Sequence, residues 1–223
     1  AARRLGTGAP GTDSAPAQDA YTLRCAPQVI GAVLDTAAWH DTVLHRELNG
    51  VSDNPVFPED PDLPALHGGN FMGQHVAIAS DSLSGAMLVL AGLAERQVAR
   101  VTDERLNGGL PAFLHRGRCG LNSGLMGAQV TATALLAEMR ATGPAAGNSL
   151  STNGANQDVV SLGTIAARLL ADRLGDLSRL HAILALAVAQ ALDLRAESGA
   201  EGAPSPAATA LCRWVRESSP PLA

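Results

Sequence analysis

The chain has 223 residues, 46% of them hydrophobic and 3% aromatic, and a formal net charge of -5. That length and apolar content exclude a disordered chain and allow one domain or two small ones. The alanine- and leucine-rich, ring-poor composition points to close helix packing and an all-α protein. Every basic residue is arginine, dispersed along the chain, so there is no phosphate-tracking stripe for nucleic acid, no Walker phosphate loop and no Schiff-base lysine.

The opening AARRLGTGAPGTDSAPAQ is a Gly/Pro/Ala tract, read over residues 1–17 as a linker or a cut edge that further sequence precedes. Its GTGAPG matches a dinucleotide fingerprint only formally, since no strand precedes it and a proline interrupts it. From Thr22 to about Glu47, apolar residues recur at spacings of three and four, which predicts a helix with Pro27 tolerated in its early turns. Four prolines and paired turn signals make NGVSDNPVFPEDPDLPALHGG a long irregular loop. Helical periodicity resumes from about Phe71 to Asp103 on two faces, the pattern of a helix buried among others. NGGLPAFL breaks it, a third helix is expected from about Asn122 to Thr142, and GPAAGNSLSTNGAN is irregular. A final long pattern, Gln157 to Ala196, predicts a helix near 60 Å at about 1.5 Å per residue, too long for so small a chain to bury alone. A short helix over Pro206–Ser218 closes the chain.

Cys25, Cys119 and Cys212 are odd in number and far apart, which fits reduced thiols in a cytosolic protein. The six histidines form no HExxH or Cys/His cluster, so no metal site is expected, and there is no GxSxG elbow. No signal segment opens the chain, and apolar runs such as Ile183 to Ala191 are too short to span a bilayer; the expectation is a cytoplasmic protein with no membrane partner.

STNGANQDVVSLGT, Ser151 to Thr164, crowds two asparagines, a glutamine and an aspartate where a helix is expected to begin. A cap needs one short polar side chain. The stretch is therefore either a polar loop with a cap at Asn156 or Asp158, or a set of amides converging on a bound polar group.

QDAYTLRCAPQ, SDNPVF, HGGNFMGQH, ERQVARVTDERLNGGLPAFL, GLNSGLMGAQVTATALLAEM and NGANQDVVSLGT resemble, in this order, the carboxy-terminal half of the aromatic amino acid ammonia-lyases. The resemblance covers Gln18 to the end and is strongest to the bacterial tyrosine ammonia-lyases, since histidine and plant phenylalanine enzymes usually carry glutamate where this chain has Asn153. It implies a long-helix bundle of the ammonia-lyase (fumarase/aspartase-like) fold, a homotetramer whose cavities draw on three chains, and conversion of L-tyrosine to p-coumarate and ammonia. The family's electrophile is MIO, 4-methylidene-imidazol-5-one, made from an internal Ala-Ser-Gly, and no Ala-Ser-Gly occurs here. The expectation is that an amino-terminal half, in the same or a separate chain, supplies it and that these residues alone are inactive.

The resemblance also implies roles. Arg24 would grip the substrate carboxylate, for which a guanidinium fork is matched. Tyr21, three residues earlier and on the same face of a helical turn, would be the catalytic partner of the electrophile or the amine. Asn54 would offer its amide to the carboxylate or the electrophile, with an Asx turn as the structural alternative; Phe71 would pack on the ring or the electrophile, or else sit in the core. Asn153 and Gln157, one helical turn apart if the helix has begun, would present two amides at its positive end, Gln157 to the electrophile or substrate head and Asn153 to the ring. A tyrosine 2,3-aminomutase, a histidine or phenylalanine ammonia-lyase, and a non-catalytic helical remnant or assembly subunit remain alternatives.

Overall fold

The structure, a computed structural model, describes residues 18–118, 120–199 and 202–222. The Gly/Pro-rich opening with its GTGAPG string and Cys119 lie outside the described residues. Six α-helices are present among them: α1 Tyr21–Arg24, α2 Ala26–Leu48, α3 Gln74–Thr102, α4 Met126–Ala141, α5 Gly163–Glu197 and α6 Pro206–Ser218. Short 3-10 turns occupy Asn70–Met72 and Ala112–Leu114, and β structure among the described residues is limited to two isolated bridges, so the all-α expectation holds.

Helix starts differ from the sequence reading, α3 beginning at Gln74 rather than Phe71 and α4 at Met126 rather than Asn122, and two further differences have a backbone reason. The first helix breaks at Cys25, whose φ of -103 and ψ of 4 leave the helical region. Pro27 lacks the N–H that would bond the Leu23 carbonyl, so the ladder cannot run through unbroken. The long last helix starts at Gly163 rather than Gln157. Asn153, Ala155 and Leu162 adopt left-handed φ of 52, 61 and 55, which a right-handed helix cannot contain. From Gly163 the helix runs 35 residues, about 50 Å. Asn156 and Asp158 therefore cap nothing; instead the Ser161 hydroxyl accepts the Gly163 N–H at 3.4 Å. The last helix has the expected bounds, with Ser205 accepting from the Ala208 N–H and Pro206 in its first turn.

The described residues group into two compact units, and α3 and α5 each contribute to both. One unit takes the residues up to Pro27, Ala91–Glu138 and the chain from Asp176 onward. Its core is Leu114, Leu125, Ala187 and Leu194, with Val101, Leu110, Ala128 and Ala191 against it. Burying each leucine contributes about 1.5–3 kcal/mol. Leu114 reaches this core through an unusual turn in which Phe113 and Leu114 have φ of 51 and 55. The Phe113 carbonyl accepts the Leu125 N–H at 2.8 Å, and a Cβ added at Gly124 would lie 2.4 Å from that same oxygen. Gly124 itself has φ of +52, so both space and dihedral select glycine. Gln190, only 1% exposed, donates to the carbonyls of Leu114 and Leu222 at 3.3 and 3.1 Å, pinning the carboxy-terminal tail. On the amino-terminal side of the unit, the Gln97 Nε2 donates to the Thr22 carbonyl at 2.8 Å.

The other unit takes Gln28–Leu90 and Met139–Gly175. Its buried side chains include Val33, Val43, Ala77, Leu83, Met87 and Leu170. Arg173, 6% exposed, donates from Nη1 to the Ser84 hydroxyl at 2.5 Å and from Nη2 to the Thr142 carbonyl just past the end of α4. A cation on the last carbonyls of a helix offsets the negative end of its dipole. The Asp81 carboxylate accepts the Ala146 N–H at 2.6 Å and so fixes the start of the amide-rich loop.

The apolar runs are longer than the sequence reading allowed. Two stretches, Asn70–Thr102 and Gly163–Glu197, are long and apolar enough to cross a membrane by length and composition. Both also carry buried polar groups, Ser80, Ser84 and Glu95 on the first and Arg173 and Gln190 on the second. Buried polar side chains with protein partners are what helices packed against protein need.

Candidate active site

The unit that takes the residues up to Pro27 holds Tyr21 and Arg24. Ala20 turns the chain into α1 with φ of -61 and ψ of 155, and its carbonyl accepts the N–H groups of both Leu23 and Arg24. Three positions apart on one turn, Tyr21 and Arg24 face the same way, and the Arg24 guanidinium carbon lies 4.6 Å from the Tyr21 ring centroid. The Tyr21 ring is 69% exposed, so it contributes little to the core. Arg24 forms no ion pair among the described residues, which leaves its five donors for an anion.

Asn54, Phe71, Asn153 and Gln157 belong to the other unit. Asn54 sits in a turn with a cis bond to Pro55, and its Oδ1 accepts the Gly68 N–H at 2.9 Å across the long loop. No Asx turn forms at Asn54: its oxygen holds the loop through Gly68, while the amide nitrogen has no partner among the described residues. Phe71 lies in the 3-10 turn and is 60% exposed, which corrects the core alternative. A Cβ at Gly68 or Gly69 would meet nothing within 4 Å, so no close backbone approach within the chain requires these glycines. Beside Phe71, a groove of about 510 Å³ is lined by Arg46, Glu47, Ser52, Asn70 and His75 among others.

Asn153 and Gln157 are not one helical turn apart. Thr152 and Gln157 form a reciprocal bridge, Thr152 N–H to Gln157 carbonyl at 2.9 Å and the return bond at 3.3 Å, and Asn153 to Asn156 make the tight turn between them. Left-handed φ at Asn153, Gly154 and Ala155 builds this turn, which explains an asparagine and a glycine in it. Both candidate side chains are exposed, and neither carboxamide has a hydrogen-bond partner among the described residues. Sequence reasoning missed the fastening of this loop: the Ser149 hydroxyl accepts the Val160 N–H at 2.8 Å and ties its two ends together. A serine four residues before the Asn153–Asn156 turn carries no periodic signal to reveal that contact.

The chemistry these residues offer is donation. Arg24 presents a cation, Tyr21 a phenol, and Asn54 and Gln157 amide N–H groups without partners; three histidine, cysteine or acidic side chains grouped to hold a metal do not occur among the described residues. In the first unit the cation and phenol suit a carboxylate and a polar head; in the other the two amides suit a carbonyl oxygen.

Comparison with known proteins gives this arrangement its context. The family model for aromatic amino acid lyases matches residues 3–217. A tyrosine ammonia-lyase of Cereibacter sphaeroides is 67% identical over 222 residues, covering 100% of this chain and 42% of that protein. A MIO-dependent tyrosine 2,3-aminomutase of Streptomyces globisporus is 47% identical over 92% of this chain and 37% of its own length. The solved tyrosine aminomutase of Streptomyces globisporus superposes with a TM-score of 0.88 at 44% identity, covering 96% of this chain and 40% of that one. The histidine ammonia-lyase of Trypanosoma cruzi follows at 0.84 and 36%, over 92% and 39%. The chain thus spans less than half the length of the relatives it matches. With a family model matching nearly end to end and the helical fold of the ammonia-lyases and aminomutases reproduced, the chain belongs to the aromatic amino acid lyase family.

Proposed function

We propose that this chain supplies the carboxylate-holding side of an ammonia-lyase active site that converts L-tyrosine to p-coumarate and ammonia. The observation that carries the reading is the Tyr21–Arg24 pair: an exposed guanidinium with no ion pair among the described residues, stacked 4.6 Å over an exposed phenol on one turn. Exposed charge and ring in such register serve a ligand better than they serve a core. The 67% identity to a tyrosine ammonia-lyase supports tyrosine as the substrate.

In this reaction a base supplied from outside these residues takes the Cβ proton, the C–H electron pair becomes the Cα–Cβ double bond, and the Cα–N bond breaks with its bonding pair going to nitrogen, which is released as ammonia. MIO, when present, supplies the electrophile that makes the amine a leaving group. Arg24 holds the carboxylate by a two-pronged charged hydrogen bond and so orients Cα and Cβ. The Tyr21 hydroxyl, carried on the same turn, would exchange hydrogen bonds with the amine head or the electrophile. The Asn54 amide would donate to the carboxylate or the electrophile and the Gln157 amide to the electrophile or the head, while Asn153 lies on the ring side and Phe71 packs on the ring or the electrophile. The working enzyme requires an Ala-Ser-Gly contributed from outside these residues, and several copies assemble in the cytoplasm, away from membrane and nucleic acid. Exposed Leu34, Trp39 and Val130, at 63%, 45% and 59%, supply the apolar faces for such assembly.

A second reading is supported by the aminomutase relatives, with TM-score 0.88 for the solved one: the same residues would serve migration of the amine from Cα to Cβ. The test is product analysis of the complete enzyme on L-tyrosine. p-Coumarate as the main product supports the lyase; β-tyrosine as the main product moves the assignment to the aminomutase, and preferential formation of urocanate from histidine overturns the tyrosine reading.

A further inference from the structure

We infer that Gln97 is a positioning residue for substrate binding, holding the turn that carries Tyr21 and Arg24 by its hydrogen bond to the Thr22 carbonyl. The inference rests on the proposed role of Arg24 and goes one step behind it. The turn is short of internal support. α1 is four residues long, makes no side-chain cap bond at Ala20, and breaks at Cys25 because Pro27 cannot continue the ladder. An isolated turn of that length is far below what helix propensity can stabilise in water. Its exposed pair, Tyr21 and Arg24, adds little packing.

What docks the turn is a contact from far along the chain. Gln97, half-buried on α3 and 75 residues away in sequence, donates Nε2–H to the Thr22 carbonyl at 2.8 Å. Thr22 lies between the two candidate residues, so this bond fixes the backbone from which both side chains project. Gln97 itself stands on a firm base. Val98 and Glu95 on either side of it are 1% and 2% exposed, and the Glu95 carboxylate accepts from Thr133 on α4 at 3.0 Å, anchoring this stretch of α3. A rigid helix thus lends its position to a turn that lacks one, as second-layer hydrogen bonds do around binding groups.

Two experiments test this. In the complete enzyme, Gln97→Leu and the isosteric Gln97→Glu, which has no N–H to donate at neutral pH, should each raise the KM for L-tyrosine about tenfold, the scale of one lost hydrogen bond. A residue acting through Arg24 should lose that effect once Arg24 is gone, so Gln97→Leu in the Arg24→Ala background should change KM by less than about twofold. An equal penalty in both backgrounds, or unchanged KM with Gln97→Glu, overturns the inference. Independently of activity, Tyr21 is the single tyrosine of the 223-residue chain, so 3-fluorotyrosine labelling gives one fluorine resonance. Gln97→Leu should shift it in the direction produced by Arg24→Ala, because both disturb the stacked pair, whereas an unmoved resonance overturns the proposal. If Arg24→Ala itself leaves KM unchanged, the functional reading fails, and this outcome is separate from a failure confined to Gln97.

Discussion

Arg24→Ala should separate stability from catalysis. In the folded chain Arg24 is exposed, has no ion pair among the described residues, and its one named contact is the 4.6 Å stack on Tyr21. An exposed cation–π contact is worth about 0.5–1 kcal/mol, so the variant should unfold within that margin of the parent. The substrate carboxylate, in contrast, would lose a charged two-pronged partner, at a cost of about 2–5 kcal/mol. At 1.4 kcal/mol per factor of ten, kcat/KM should fall by more than about tenfold. The assay is the ultraviolet absorbance of p-coumarate formed by the complete enzyme, with thermal unfolding run in parallel. Unchanged kcat/KM would refute the carboxylate role. A large loss of stability would show that the stack is structural.

The same reasoning yields three further expectations. Gln157→Ala should cut turnover with little change in unfolding temperature, because its carboxamide is exposed and bonds nothing among the described residues while its backbone makes the bridge to Thr152; a large drop in unfolding temperature with normal turnover would contradict this. Gly124→Ala should destabilise the fold by several kcal/mol, because its Cβ would meet the Phe113 carbonyl at 2.4 Å and φ is +52, and a soluble variant with parental unfolding temperature would contradict the packing account. Burial first, and then the charge and hydrogen bond of Asp193, raise the Cys212 thiol above its ordinary range. The folded state therefore holds that proton more tightly than the unfolded state, its contribution is full below about pH 9 and is lost as pH rises further, and alkylation at pH 8 should be slower folded than unfolded. Asp193→Asn should speed it; equal rates in all three would refute the shift.

Much of the helix arrangement was legible because it follows from short-range rules. Spacing of three and four in α2, α3 and α4 reports a face buried on neighbouring helices, and Ser205 with Pro206 marks the start of α6 to the residue. The Tyr21–Arg24 pair was legible for the same reason, since residues three apart on one turn must lie side by side. The false start of α5 has a physical cause: Val159, Val160 and Leu162 extend the apolar pattern backwards, and hydrophobicity does not report the left-handed φ of Leu162. Contacts between distant residues were not legible at all. Nothing local in Gln97, Gly68 or Ser149 announces partners at Thr22, Asn54 or Val160. The left-handed Phe113–Leu114 turn was equally hidden, because tertiary burial of Leu114 at 0% exposure overrides the preference of a leucine backbone.

The central claim is that these residues hold a substrate whose reaction depends on an electrophile made elsewhere. They contain no Ala-Ser-Gly, yet match relatives more than twice their length across less than half of those proteins. The most direct measurement is p-coumarate formation from L-tyrosine by the purified 223-residue chain, alone and after addition of a polypeptide carrying the Ala-Ser-Gly half of a related lyase. The account predicts no product from the chain alone and product when the two are combined. Product from the chain alone would contradict the dependence on an outside electrophile, and no product from a soluble, assembled combination would contradict the lyase role itself.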